Sequence, residues 1–269
     1  MKNKMNIFLL LLVFFVGLAI TLYPLVSNFV NSKNQSKAIA SYNSAVGRAK
    51  TEDYSRLFAE ADAYNRKLCD LAFPLSDYEQ LEGYDDLLTL ETCKVMARIS
   101  IEKIAVDLPV YHGSSDAVLN IAAGHLQGSS LPVGGAGTHA VMTAHRGLPS
   151  ARLFTDLNRL DLEDTFKITV LDRELIYRIV EIFTVEADDL DRLRILPGED
   201  LCTLFTCTPY GINTHRLLVR GKRLAEAGPD AKFGRIDGLG EGEGDKVTTS
   251  LRKYNIDLLL PVTLIFAFI

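Results

Sequence analysis

Three residues in this chain have the types and positions needed for covalent chemistry. Cys207 closes the apolar run CTLFTC, where a β-prone segment gives way to Thr-Pro-Tyr-Gly. Strand ends that open into loops are where reactive groups are presented on a rigid scaffold. His145 closes the alternating run THAVMTAH and precedes Arg146-Gly147, a second junction of the same kind. A thiol and an imidazole so placed suit acyl transfer. The thiolate attacks an acyl carbon, the imidazolium protonates the leaving amine, and the imidazole then assists a second nucleophile. Such a reaction passes through an oxyanion, and Arg216, which opens the run HRLLVRG, supplies permanent charge and several N–H donors. If the cysteine and arginine strands are neighbours, Arg216 faces the thiol. Arg146, Arg220 and His215 compete for that role, although His215 should point to the opposite face from Arg216.

The other cysteines are Cys69, Cys93 and Cys202. No pair has C-x2-C spacing, so no metal site is expected. Cys202 lies within a strand and reads as a small buried apolar residue, and a bond between Cys69 and Cys93 is left open. There is no GxGxxG and no GxxxxGK[ST], so no cofactor is expected; SLPVGGAGTH reads as a turn before a strand.

These residues must be positioned by a β-rich frame. From Val95 onward VMARISI, VDLPVYHG, THAVMTAH, TFKITVLD, ELIYRIVEIFTV, CTLFTC and HRLLVRGKRL are short, alternating or β-branched runs between Gly, Pro, Asp and Asn clusters. Seven strands at this density imply a barrel or sandwich, not a βαβ fold. SDAVLNIAAGHL and SARLFTDLNRL read as helical interruptions. Before the frame, residues 36–70 read as helix, with apolar positions three and four apart. Pro74 and Gly83 break the segment that follows.

The ends of the chain read differently. Residues 5–32 carry no charge, and Asn6 to Val26 is about the roughly 20 residues a bilayer core demands. A retained anchor is expected, with the body of the protein outside the cell membrane; Lys2 and Lys4 favour a cytoplasmic N-terminus. A cleaved signal peptide fits less well, because no small-x-small site closes the apolar run. The domain reading is therefore 1–35 as cytoplasmic tip and anchor, 36–94 as a helical segment, and 95–224 as the catalytic unit. Residues 225–255 are a Gly-rich, charged linker, and 256–269 are a C-terminal apolar segment too short to span a bilayer as written, read either as the start of a truncated second membrane helix or as a short tail lying against the membrane. With a net charge of −5 and no polybasic tract, nucleic acid is not an expected partner.

TLFTC (203–207), TAHRG (143–147) and the following Arg216 resemble the signature of sortases, the membrane-anchored cysteine transpeptidases of Gram-positive bacteria. The likeness runs from about Ile101 to Arg223. IEKIAVDLPVYHGSS, AAGHLQGSSLPVGG, HRGLPSARLFTDL and TCTPYGINTHRLLVRG are similar to the pilus-building class C sortases in particular. The resemblance implies an eight-stranded β-barrel, with Cys207 as nucleophile, His145 as acid/base and Arg216 as stabiliser of the oxyanion or substrate. It also implies cleavage of an LPxTG-like sorting signal after its Thr and transfer of the acyl group to a pilin lysine. Thr206 is expected to line the substrate groove. Class C sortases also carry a lid before the barrel, an Asp-Pro-aromatic turn whose Asp pairs with the active-site Arg. The corresponding place here is Phe73-Pro74-Leu75, which lacks the acidic anchor and has Leu for the aromatic; Asp77-Tyr78 is a second candidate. A housekeeping sortase that anchors surface proteins to the cell wall, and a non-enzymatic membrane-anchored binding module, are the alternatives. A papain-like enzyme places its Cys before its His, and a caspase-like one needs Gln-Ala-Cys; neither pattern fits.

Overall fold

A computed structural model of the chain describes residues 2–49, 51–90 and 93–224. The linker 225–255 and the apolar segment 256–269 lie outside the described residues. Helix α1 spans Lys2–Val46 and α2 spans Thr51–Cys69. The expected anchor and the first half of the expected 36–70 helix are thus one continuous helix, broken from α2 at Gly47. The apolar stretch of α1 is exposed along its length. Its later part buries Ile39, Tyr42 and Ala45, three residues apart, the spacing that puts side chains on one helix face. In α2, Leu57, Phe58, Ala61, Tyr64 and Leu68 form a similar stripe and join the main core.

Eight strands follow: β1 (Ala97–Ile101), β2 (Val106–His112), β3 (Ala123–His125), β4 (Thr138–Thr143), β5 (Thr165–Val170), β6 (Arg173–Glu186), β7 (Asp200–Thr208) and β8 (His215–Arg223). They close into a barrel in the order β1-β2-β3-β4-β7-β8-β6-β5. Closure leaves no free sheet edge. The seven strands read from sequence are all present, and β3 is the eighth. It lies inside SDAVLNIAAGHL, where helix was expected; only Asp116–Leu119 (α4, following the short helix α3 at Pro74–Asp77) is helical. SARLFTDLNRL is likewise mostly turn, with a single 3₁₀ turn at Leu157–Arg159. Apolar side chains there, including Ala151, Phe154, Leu157 and Leu160, still join the main core, delivered by turns and not by a helix.

Alternation along the strands sends Met142, Leu204 and Val219 into the barrel. The opposite face of β4-β7-β8 is not open to solvent. Val141, Leu193 and Leu218 form a second apolar cluster there, with Leu75 and Phe205 packed against it. Gly128 explains how the segment after α2 comes so close. Its backbone sits at φ +90°, and a Cβ there would sit 2.8 Å from the Pro74 carbonyl oxygen and 2.9 Å from Leu75 Cα.

Tyr42 ties α1 to the barrel. Its hydroxyl accepts from the Leu171 N–H at 2.6 Å and donates to the Met96 carbonyl at 3.3 Å, with the ring 1% exposed. Tyr42→Phe strips two buried backbone groups of their partner, which costs about 1–3 kcal/mol. A lowered denaturant midpoint with an unchanged slope is the expected result; an unchanged midpoint means that water replaces the hydroxyl.

Candidate active site

β4 and β7 run parallel, with Thr143 opposite Phe205. A parallel pair brings like ends together, so the loops after both strands leave the barrel at one end. Carrying the register two residues further brings His145 level with Cys207. Two bonds continue the pairing past the end of β4: Ala144 N–H donates to the Phe205 carbonyl at 3.3 Å, and the Thr206 hydroxyl donates to the Ala144 carbonyl at 2.7 Å. Beyond them the Phe154 N–H donates to the His145 carbonyl at 3.1 Å. β7 and β8 are antiparallel neighbours, and Cys207 lies directly opposite Arg216. Residues opposite one another in a sheet share a face, so Arg216 stands beside the thiol. His215 falls on the other face and pairs with Glu186 at 3.2 Å.

Thr206 does not line this face. Alternation turns it inward with Cys202 and Leu204, and it is 1% exposed. Its role is the bond to Ala144, which ties the cysteine strand to the histidine strand. Cys207 and His145 are both half-buried. The Arg216 guanidinium is aimed by the β7–β8 loop: Nη1 donates to the Asn213 carbonyl at 2.9 Å and the His215 carbonyl at 3.0 Å. No bond to a described residue engages its Nε or Nη2, so these donors are available to a ligand.

The rival arginines do other work. Arg146 Nη1 donates to the Thr208 hydroxyl at 3.0 Å and its Nε to the Thr155 carbonyl at 3.2 Å. It follows His145 and grips the residue after Cys207, so it clamps the two loops together. Burial pulls its pKa down from the usual guanidinium range. Arg220 is nearly buried, 2.5 Å from Glu181, and also donates to the Arg192 carbonyl. His139 holds the same β6–β7 loop through the Arg194 carbonyl and meets the Thr203 hydroxyl at 2.7 Å. Burial lowers its pKa to about 4, so it is neutral near pH 7. Their sequence signal was polar residues at outward-facing strand positions, which does not reveal what covers them.

The proposed lid residues lie over the outer face. Leu75 packs with Val141, Leu193, Leu218 and Phe205, and Phe73 is 65% exposed. Pro74 begins the short helix α3. Asp77, the nearest carboxylate, accepts the Phe73 N–H at 3.2 Å within its own turn. A cavity of about 540 Å³ lies between residues 71–76 and residues 190–197 of the β6–β7 loop, bounded also by Gly128 and Gly137.

The four cysteines are free thiols. Cys202 is fully buried, and burial pushes its pKa well above the usual thiol range. In the native chain a soluble alkylating agent should therefore modify Cys207 and exposed Cys69, while Cys202 reacts only after denaturation. Peptide mass spectrometry reads the pattern; native labelling of Cys202 would contradict this inward placement.

A sortase domain model matches residues 99–224. No curated protein matches the chain. Among solved structures, sortase C1 from Streptococcus agalactiae is 41% identical, with a TM-score of 0.64, over 70% of this chain and 98% of that one. A pilus-related sortase C of Group B Streptococcus is 38% identical, with a TM-score of 0.62, over 70% of this chain and 97% of that one. Sortase C-1 from Actinomyces oris is 42% identical, with a TM-score of 0.58, over 65% of this chain and 99% of that one. The chain belongs to the sortase family of cysteine transpeptidases, among its class C members.

Proposed function

We propose that this enzyme polymerises pili, with Cys207, His145 and Arg216 as its catalytic residues, acting on LPxTG-like sorting signals outside the cell membrane. The observation that carries the assignment is the pairing of Cys207 with Arg216 on one face, with His145 brought level by the parallel register. The reaction starts from thiolate and imidazolium. Cys207 Sγ attacks the Thr carbonyl carbon of the signal, and the electron pair moves to oxygen. Arg216 donates to that oxyanion through N–H groups that its loop contacts leave available. The C–N bond then breaks as His145 gives its proton to the leaving Gly amine, which leaves a thioester. A lysine amine of the next pilin attacks the thioester, neutral His145 takes its proton, and the thiolate departs as the amide forms. Atoms and charge balance with no cofactor.

Membrane anchoring is supported by α1, the helix among the described residues long and apolar enough to cross a bilayer. The Phe73-Pro74-Leu75 segment serves as a lid held by apolar contact, since Asp77 is engaged within its own turn. Burying one leucine is worth about 1.5–3 kcal/mol when complete, and Leu75 is only half-buried. The closed arrangement is therefore weakly held.

Incubation with an LPxTG peptide, read by mass spectrometry, should give an acyl adduct on Cys207 that hydroxylamine releases. Cys207→Ala abolishes it with the fold intact, and Arg216→Lys lowers turnover by roughly a hundred- to a thousandfold, as expected when an oxyanion donor is lost. An adduct on another residue, or a fully active lysine variant, removes the corresponding assignment. A pilin lysine as acceptor distinguishes pilus assembly from cell-wall anchoring, which would use a peptidoglycan amine.

The lid has its own test. Leu75→Ala should speed alkylation of Cys207 relative to Cys69 in the same sample. An unchanged ratio would show that the segment does not gate the thiol.

A further inference from the structure

Four contacts between α1 and the barrel fix which end of the barrel lies nearest the apolar stretch. Asn28 Oδ1 accepts the Arg152 N–H at 2.9 Å, Asn31 Nδ2 donates to the Ser150 carbonyl at 2.8 Å, and Gln35 Nε2 donates to the Ile121 carbonyl at 2.7 Å. Tyr42 then bonds Leu171 in the β5–β6 turn. A helix rises about 1.5 Å per residue, so these contacts span roughly 21 Å along α1. Residues 150–152 lie in the loop that follows His145. The strand registers place the ends of β4, β6 and β7 and the start of β8 at this same end, and the β5–β6 turn at the other. Asn28 is two residues, or about 3 Å, beyond Val26. Headgroups extend several ångströms beyond the roughly 30 Å hydrocarbon core. With α1 crossing the bilayer up to Val26, the catalytic end of the barrel would stand at headgroup height.

That end exposes apolar side chains. Tyr210 is 59% exposed and Ile212 68% exposed, both in the β7–β8 loop that aims Arg216. The Tyr210 ring lies against Gly147, where a Cβ would sit 3.0 Å from its Cε2. An exposed tyrosine beside an exposed isoleucine has the chemistry of a membrane–water interface, apolar in body with a polar tip. Exposed Asp188 and Asp189 begin the neighbouring loop, and exposed Arg152 in the loop after β4 pairs with Asp156, so the charge at this end is mixed and the contact rests on its apolar side chains.

We propose that the β7–β8 loop rests on the lipid surface, with Tyr210 and Ile212 entering the headgroup region, so that Cys207 and Arg216 open close to the bilayer. This rests on the reading of α1 as a membrane anchor. It places the thiol where a substrate still held in the same membrane presents the chain nearest its own anchor. The β7–β8 loop thus sets the height of the site as well as the aim of Arg216.

The chain contains no tryptophan, so Tyr210→Trp introduces a single tryptophan, excited selectively at the red edge of tyrosine absorption. The full chain carrying it is reconstituted in phosphatidylcholine vesicles whose acyl chains are brominated near the headgroup, with no substrate peptide present. Asp172→Trp, at the exposed β5–β6 turn, is the control. Blue-shifted emission and loss of intensity at position 210, with neither at 172, is the expected result. A protein that floats with the vesicles but is quenched at neither position overturns the proposal and leaves the anchor intact. Equal quenching at both positions also overturns it, since the barrel would then lie on its side. Failure to float with the vesicles sinks the anchor reading, and this proposal with it.

Discussion

The parallel pairing of β4 with β7 is the constraint on which the site depends. Parallel strands cannot be joined by a hairpin, so the chain between them must make a long crossover. Here that crossover contains β5 and β6, which complete the barrel on its far side. One topological choice thus closes the fold and brings the ends of two distant strands together. His145 and Cys207 are separated by 61 intervening positions in sequence, yet the register holds them level. The Thr206–Ala144 bond and the Arg146–Thr208 bond extend this order past the strands, into loops that would otherwise drift. A nucleophile and its acid/base partner need placement within a fraction of an ångström, and groups on rigid elements achieve this better than groups on free loops.

The outer face of β4-β7-β8 carries a second demand. It bears the polar groups of the site and also Val141, Phe205 and Leu218, which favour burial. Two segments meet that demand. The β6–β7 loop contributes Leu193, and the segment after α2 contributes Leu75. The two are held differently. His139 and Arg220 hold the loop through its backbone carbonyls from below, and these are buried, hydrogen-bonded contacts that are costly to break. Leu75 is held by packing alone and can be displaced at lower cost. The outer face is thus bordered by one segment that is pinned and one that yields.

The N-terminal helical segments pack on the same barrel. α2 gives its apolar stripe to the barrel core. Nearby, Tyr84 bonds His125, whose own ring is fully buried against the Ser130 carbonyl, and burial lowers its pKa to about 4. The neutral imidazole links the helical segment to β3 without burying a charge. The elements that flank the Phe73-Pro74-Leu75 segment are thus anchored firmly on both sides of it.

Much of this was legible in the sequence. β-branched alternation marked seven strands, because a half-buried strand must alternate. Cys207, His145 and Arg216 stood out because a thiol, an imidazole and a guanidinium recur together at strand-to-loop junctions, and the motifs around them resemble those of the family. β3 was not legible. Three residues show no period, and Ala-Gly-His becomes a strand only because β2 and β4 lie on either side to bond it. The helical readings of 115–126 and 150–160 mostly failed because apolar spacing marks burial and not the backbone that delivers it: Ala151, Phe154, Leu157 and Leu160 reach the core largely from turns. Thr206 was placed on the wrong face although its neighbour Cys207 was identified, because alternation gives the relation between neighbours and only the barrel says which face is inside. Arg146 read as a rival to Arg216 because a charge beside a histidine has no direction in sequence. Sequence determines what each residue can do chemically and how neighbours alternate. Which residues meet, and from which side, is decided by long-range pairing, whose free energy comes from closing the barrel as a whole.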